Sequence, residues 1–292
     1  MPITMNRREF LAASTVAAQP SRRVRAAFLG LAHSHAPEKL CLVSTSPDYE
    51  LLGAWEDNEK VRALFAKQNL QWREKKELLA DPKVEVVFIE SDVPRHESLA
   101  LEAVQAGKHL HVEKPPSDNV HGFQKIVDVA RAKRLHLQTG YMWRFNPAVV
   151  RAIEAARKGW LGDIYMIHAR MNTLIGLDRR PEWDLFPGGQ MFEQGAHLID
   201  IVVRTLGRPT RITPFLRHDG AFADKLKDNT AAVFEFPRAM AVITSSVLQP
   251  NANAHRAFEI MGSLGTAAVR PIEPPSLEID LASPAGPYQK GR

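Results

Sequence analysis

Val24-Arg25-Ala26-Ala27-Phe28-Leu29-Gly30-Leu31-Ala32-His33-Ser34-His35 decides how the rest of the chain is read. Val24–Leu29 is a short apolar run of the kind a strand buried in a parallel sheet requires. A glycine-led turn follows, and Pro37–Ser44 opens a helix. Strand, tight turn and helix together bring backbone N–H groups and the positive end of a helix to one place, which suits a phosphate.

The same alternation continues outward. Glu50–Trp55 reads as a second strand, ending in Glu56-Asp57-Asn58, and Glu59–Gln68 has helical spacing through Val61, Leu64 and Phe65. Val84–Ile89 is nearly continuous apolar sequence. Pro94 suits the first turn of a helix through Leu99, Leu101 and Val104, which Gly107 ends. His109–Val112 is a strand leading into Glu113-Lys114-Pro115, followed by a helix over Asn119–Lys133 and a strand over Leu135–Thr139. Strands alternating with helices predict an α/β fold with a Rossmann-type, doubly wound parallel sheet.

The pattern changes near Arg144. Pro147–Lys158 reads as a helix, Ile164–Met171 as a strand, Leu174–Gly189 as a loop, and Gln190–Leu206 as one amphipathic helix. Strands then follow at Arg211–Leu216, Ala231–Phe236, Ala239–Val247, Ala257–Met261 and Ala267–Arg270. This predicts an α+β domain with an open, mostly antiparallel sheet. The expected division is a leader over 1–20, a dinucleotide-binding domain over 22–143, and a substrate and oligomerisation domain over 144–292. Pro271–Arg292 is rich in proline and offers no closing element, so the last domain is expected to be C-terminally incomplete.

Composition narrows the class. Of 292 residues, 45% are apolar and 24% charged, as in an ordinary globular protein. The net charge of +5 is local: Arg7, Arg8, Arg22, Arg23 and Arg25 face only Glu9 in the first 25 residues, and the remainder is nearly balanced. No basic face for nucleic acid is implied, and no apolar run is long enough for a membrane span. The one cysteine, Cys41, excludes an intrachain disulfide and reads as a small core residue among Leu40, Leu42 and Val43. Asn6-Arg7-Arg8-Glu9-Phe10-Leu11, ahead of Ala12–Ala18 and the small residues Val16-Ala17-Ala18, reads as a twin-arginine signal. It predicts export to the periplasm, and a cytoplasmic location if the signal does not function.

Chemistry gathers at three places. Gly30, Ala32, His33, Ser34 and His35 form a degenerate pyrophosphate cradle, with Ala32 and His35 standing where glycines are usual. Glu56, at the end of the second strand, is placed to accept from ribose hydroxyls and to repel a 2′-phosphate, favouring NAD over NADP; Asp57 is its rival. Lys114 stands at the carboxyl end of a strand, where it can stabilise a developing alkoxide. In Gly188-Gly189-Gln190-Met191-Phe192-Glu193-Gln194-Gly195-Ala196-His197, Glu193 and His197 are four residues apart, hence on one face of a helix. His197 is the expected base for a hydroxyl proton and Glu193 its orienting partner. Asp200 either holds the imidazole or reaches substrate. Tyr141 and Arg144 offer polar tips, while Trp143 and Phe145 are expected in the core. The loop Arg179–Asp184 is expected to cover the site. The His33/His35 and His109/His111 pairs lack the Cys cluster or His-Glu-x-x-His helix of a metal site, so no metal is assigned.

Val93-Pro94-Arg95-His96, Ala106-Gly107-Lys108-His109, Glu113-Lys114-Pro115, Gly140-Tyr141-Met142-Trp143-Arg144-Phe145-Asn146-Pro147 and the Gly188–Asp200 segment occur in that order. The ordered set resembles the Gfo/Idh/MocA oxidoreductases, over nearly everything from Val24 to Arg270. The resemblance implies a catalytic or nicotinamide-side role for Lys114, and cofactor contacts from Ser91, Pro94, His96, Glu113 and Arg144. It also implies an aspartate where this chain has Glu193, a sugar, cyclitol or related polyol as substrate, a tightly held NAD, and a homodimer or homotetramer built through the open sheet. Two other functions share these features: a glycoside hydrolase that uses transient NAD oxidation, and a non-catalytic nucleotide-binding protein on the same fold.

Overall fold

The computed structural model describes residues 22–291. The twin-arginine stretch lies outside the described residues. Among those described, no helix is long and apolar enough to cross a membrane. They form two compact units: one runs to Val112 and adds Phe123–Gln138, and the other joins Glu113–Gly122 to the chain from Thr139 onward.

The first unit is built on β1 (Val24–Leu29), β2 (Tyr49–Trp55), β3 (Val86–Ile89), β4 (His109–Val112) and β5 (Leu137–Thr139), in the order β2-β1-β3-β4-β5. The pairs β1–β2, β1–β3 and β3–β4 are parallel. Helices α1 (Ala36–Thr45), α2 (Glu59–Leu64), α3 (Lys75–Ala80), α4 (Val93–Gln105) and α5 (Val120–Ala132) lie between the strands in sequence. Strand order reverses between β1 and β3, so the turn after β1 and the loop after β3 meet at the switch point where such sheets bind ligands. Alternation along β1 fills two cores: Ala26 and Phe28 pack with Leu40, Val43 and Phe65, while Ala27 and Leu29 pack with Val87, Leu99 and Val104.

Two readings of this unit change. Lys75–Ala80 is helical, anchored by the buried Leu78, where the sequence showed no clear element. Cys41 is exposed rather than in the core. The face of α1 that packs inward is Ala36, Leu40 and Val43, and Cys41 lies off that stripe.

The second unit is a seven-stranded sheet in the order β12-β11-β10-β6-β9-β8-β7. Its strands are β6 (Ile164–Arg170), β7 (Arg211–Arg217), β8 (Asn229–Glu235), β9 (Met240–Ser246), β10 (Ala257–Gly262), β11 (Gly265–Val269) and β12 (Leu277–Leu281). Only the β6–β9 pair is parallel. Helix α6 (Pro147–Arg157) starts with Pro147, and Asn146 Oδ1 accepts from the N–H groups of Ala148 and Val149 at 3.0 and 3.2 Å. Val149, Ala152, Leu198, Ile201 and Val202 pack with Ile167, Ala241, Ile243, Phe258 and Ile260 in one core.

Three expectations for this unit are corrected. Pro271–Arg292 contains a strand after all: β12 pairs in register with β11, and Leu281 is buried. The single helix expected over Gln190–Leu206 is two, α8 (Gly189–Glu193) and α9 (Gly195–Leu206), with Gln194 between them. The loop over Leu174–Gly189 contains a short helix, α7 (Arg180–Asp184).

Arg180, 1% exposed, donates to Asp224 at 2.5 and 2.8 Å and to Asp228 at 2.9 Å, and its guanidinium lies 3.8 Å from the Phe222 ring centroid. This fixes α7 to the β7–β8 connection. His218 belongs to the same knot. Its Nδ1 lies 2.8 Å from the Leu226 carbonyl oxygen and its Nε2 3.1 Å from that of Phe222. Carbonyls only accept, so both nitrogens are satisfied only when both carry protons. Those backbone bonds raise the His218 pKa, with the Asp228 and Asp224 carboxylates adding to the effect. His218 therefore contributes stability in full below the unfolded value near 6.5 and loses it as pH rises through the folded value. The melting temperature of the wild type should exceed that of His218→Phe most at pH about 5.5 and least at about 8.5. A margin that stays constant or widens with pH would contradict the doubly protonated ring.

Candidate active site

The glycine turn of the first unit requires its glycine. Gly30 has φ +81°, and a Cβ there would stand 2.5 Å from Ser91 Cβ and 2.9 Å from Ser91 N. The cradle is therefore closed by the loop after β3. His33 N–H donates to the Glu90 carbonyl at 2.8 Å, and its ring Nδ1 accepts from His35 N–H at 3.2 Å. Ala32 and Ser34 are exposed and His35 half-buried, and the N-terminus of α1 has no side-chain cap. An uncapped helix end beside a turn that a single methyl group would fill fits a dinucleotide pyrophosphate.

Glu56 turns its carboxylate inward. It is 2% exposed, and each oxygen accepts: Oε2 from Leu31 N–H at 2.8 Å, and Oε1 from Asn58 N–H at 3.0 Å and Arg95 Nη2 at 3.4 Å. Glu56 braces the glycine turn from within. The carboxylate left at the surface is Asp57, held by Arg95 Nη1 at 2.6 Å. Burial would raise the Asp57 pKa, but the hydrogen bond and charge of Arg95 outweigh it and the carboxyl titrates below its usual range. Ser91 and His96 are fully buried, and His96 Nε2 lies 2.9 Å from the Ser91 carbonyl oxygen, so this edge of the ring holds the β3–α4 loop. Pro94 occupies the first turn of α4, as expected. A cluster that sequence reading missed stands at the ends of β3 and β4, where Lys39 Nζ lies 2.8 Å from His111 Nε2 and 3.7 Å from Glu90 Oε1. Only the chain's folding could bring these three together.

The second unit holds the candidate acid–base groups. Lys114 is 3% exposed, and its Nζ donates to Glu193 Oε1 at 2.5 Å and to the Glu193 carbonyl at 3.2 Å. Its N–H donates to Glu113 Oε2 at 2.9 Å, and Gly140 leaves the space that the fully buried Glu113 carboxylate fills. The second Glu193 oxygen, Oε2, is buried and accepts no hydrogen bond among the described residues. A buried acceptor left open is a place for a ligand hydroxyl.

Glu193 and His197 do not share one continuous helix. Glu193 ends α8 and meets Lys114, whereas His197 lies on α9, 2% exposed, with its ring centroid 5.9 Å from Tyr141 and 5.5 Å from Trp143. Asp200 pairs with Arg144 through Oδ2 and Nε at 3.1 Å and through a second, shorter contact between Oδ1 and Nη2. Both residues are thus engaged with each other. Burial, and then the Asp200 charge, push the Tyr141 pKa up to about 12. Tyr141 stays a phenol. Trp143 is buried as expected, but Phe145 is exposed.

Gln190 was not foreseen. Fully buried on α8, it donates through Nε2 to Ser245 Oγ at 2.7 Å, and its Oε1 has no partner among the described residues. Its place just after Gly188-Gly189 was the available signal.

Residues 24–141 match the model of an oxidoreductase family with an NAD-binding Rossmann fold, and residues 149–268 match the GFO/IDH/MocA C-terminal domain. Similar relatives include the trans-1,2-dihydrobenzene-1,2-diol dehydrogenase of Bos taurus, 27% identical over 55% of this chain and 48% of that protein. The inositol 2-dehydrogenase/D-chiro-inositol 3-dehydrogenase of Shouchella clausii is 34% identical over 37% of this chain and 32% of its own length. The chain spans about half the length of the first curated relatives it matches. Among solved structures, the aldose-aldose oxidoreductase from Caulobacter crescentus, complexed with glycerol, has a TM-score of 0.78 at 20% identity, over 92% of this chain and 84% of that one. The WlbA dehydrogenase from Bordetella pertussis, in complex with NADH and UDP-GlcNAcA, has a TM-score of 0.76 at 18% identity, covering 90% and 84%. At these identities the structural likeness is one of fold.

Gly30→Ala should lower dinucleotide affinity by about tenfold or more, a loss of ~1.4 kcal/mol, because the turn must move off Ser91. Gly107→Ala is the matched control: it also has positive φ, but nothing lies within 4 Å of its Cβ. That variant should lose some stability and keep its affinity. Equal affinities for the two variants, measured by calorimetric titration, would refute the cradle.

Proposed function

Because the chain belongs to the Gfo/Idh/MocA oxidoreductases, we propose that it interconverts a secondary hydroxyl and a carbonyl on a sugar, cyclitol or related polyol, using NAD. The observation that carries this reading is the buried Lys114–Glu193 pair with the open Glu193 Oε2 beside it. Gly30, Ala32, His33, Ser34 and His35 would hold the pyrophosphate, and the bound nicotinamide would supply the hydride acceptor or donor. Lys114 hydrogen-bonds the substrate oxygen and stabilises the negative charge that grows on it. Glu193 fixes the direction of that ammonium and offers Oε2 to a neighbouring hydroxyl, a group polyols have in plenty. His197 takes the hydroxyl proton in oxidation and returns it in reduction. Tyr141, held as a phenol, donates to substrate and does not compete as a base.

The names of the relatives agree with a hydroxylated substrate: a dihydrodiol dehydrogenase, an inositol dehydrogenase and an aldose-aldose oxidoreductase. The Arg7-Arg8 leader adds export to the proposal. Free dinucleotide is scarce outside the cytoplasm, so an exported enzyme would retain its NAD tightly and alternate between an oxidisable and a reducible substrate. The same reading assigns the chain to homodimers or homotetramers.

Mass spectrometry of the gently purified protein should find a nicotinamide dinucleotide. His197→Asn should lower kcat/KM for polyol oxidation by about 10²–10⁴ and remove the rise of rate with pH, leaving dinucleotide binding unchanged. An unaltered pH profile in the variant would remove His197 from the proton path. Absence of both bound nucleotide and nucleotide-dependent stabilisation would end the proposal.

A further inference from the structure

Helices α6 and α9 of the second unit bring their carboxyl ends together. Arg157, in the last turn of α6, donates through Nη2 to the carbonyl of Arg204, in the last turn of α9. A cavity of about 220 Å³ lies beside them. Val150 and Ile153 give it an apolar lining, and Arg144, Arg157, Lys158 and Arg204 bring four cations to it. Its one carboxylate, Glu154, already accepts from Arg151 at 2.8 Å. Asp200 meets the charge of Arg144. Among the described residues, no carboxylate pairs with Arg157, Lys158 or Arg204. Helix ends favour cations, but fewer than these. The carboxyl end of a helix carries roughly half a negative charge, so two ends offset about one of the three. A surplus of about two positive charges remains around the cavity. Like charges held this close repel unless something negative joins them.

We propose that this cavity is an anion site whose ligand is a small phosphoryl dianion, either free phosphate or a short monoester. Such a group carries about −1.5 to −2 charges near neutral pH, which matches the surplus. The volume is below the roughly 300–1,000 Å³ of pockets that hold drug-sized ligands, so the ligand is small. Guanidinium groups suit phosphate because their N–H donors match its oxygens in pairs. Arg157 is already steered by the Arg204 carbonyl. Arg144 adds Nη1, which makes no hydrogen bond among the described residues while Nε and Nη2 stay on Asp200. In an ester, the carbon chain would rest on Val150 and Ile153. Neither the cavity nor its charge depends on the chemistry proposed for Lys114. Arg144 nonetheless connects the two places, since its guanidinium lies 5.8 Å from the Tyr141 ring centroid.

The test is calorimetric titration of the full chain with sodium phosphate and, separately, glycerol 3-phosphate, at pH about 8 and constant ionic strength, where both probes are dianions. The wild type should bind saturably, and Arg204→Gln should weaken that binding by about tenfold or more. Lys158→Gln should weaken it in the same direction. Arg211→Gln, which removes an exposed charge from β7, should leave it unchanged. Phosphate should also raise the melting temperature of the wild type more than that of Arg204→Gln, which separates a lost site from a lost fold. Tighter binding of glycerol 3-phosphate identifies an ester as the ligand, and tighter binding of phosphate the free ion. Absence of saturable binding, or an equal loss in Arg211→Gln and Arg204→Gln, would overturn the site. Binding that Gly30→Ala weakens and Arg204→Gln spares would put the anion at the glycine turn and overturn it as well.

Discussion

Lys114 and Glu193 are both almost wholly withdrawn from water, and each can be there only because of the other. Removing one partner of such a pair strands a buried charge, at a cost of about 3–5 kcal/mol. The sequence separates them by some eighty residues, so the pair exists only if two local structures are exact to within a hydrogen bond. One is the turn after β4, where Glu113 fills the space left by Gly140 and accepts from Lys114 N–H. The other is α8. Gly189 has φ +47° and would collide with the Lys227 carbonyl if it carried a Cβ, and Gln190 N–H donates to that same carbonyl at 3.0 Å. The β7–β8 connection thus sets the position of α8, and Arg180 and His218 hold that connection in turn. A chain of buried polar contacts runs from the edge of the sheet to the carboxylate that orients the lysine.

The parts of this architecture that depend on apolar burial were plain in the sequence. Val24–Leu29 and His109–Val112 are strands over the residues their patterns mark, because a strand buried on both faces has little choice of composition. The glycine turn, the Glu-Lys-Pro lysine and the Gly-Gly segment were equally visible. What stayed hidden depends on direction. Glu56 ends its strand where a ribose ligand belongs, but its carboxylate turns inward, and nothing in one dimension distinguishes that from the outward turn of Asp57. The break at Gln194 was concealed because apolar residues continue on both sides, at Met191 and Leu198. Strand β12 lies between prolines that mask its alternation, and its evidence is the partner strand β11. Cys41 shows the same limit on a helix, since its neighbours Leu40 and Val43 are buried and it is not.

Polar residues in this protein do structural and chemical work with the same groups. Glu56 braces the glycine turn, Asp92 gives up a helix cap to hold an arginine, and Arg144 and Asp200 neutralise each other beside Tyr141. This explains why residue type alone overstated how many side chains are open to ligand. Among the described residues, Glu193 Oε2 and Gln190 Oε1 are buried acceptors that hold no hydrogen bond.

The direct test of the central claim is the fate of a deuterium label carried at C4 of reduced nicotinamide, followed by mass spectrometry into a sugar or polyol product. The account predicts that the wild type places the label on the carbon bearing the new hydroxyl, and that Lys114→Met binds the dinucleotide but transfers little or no label. Dinucleotide bound without transfer to any of a broad set of aldoses, ketoses and cyclitol ketones, or transfer undiminished in Lys114→Met, would contradict it.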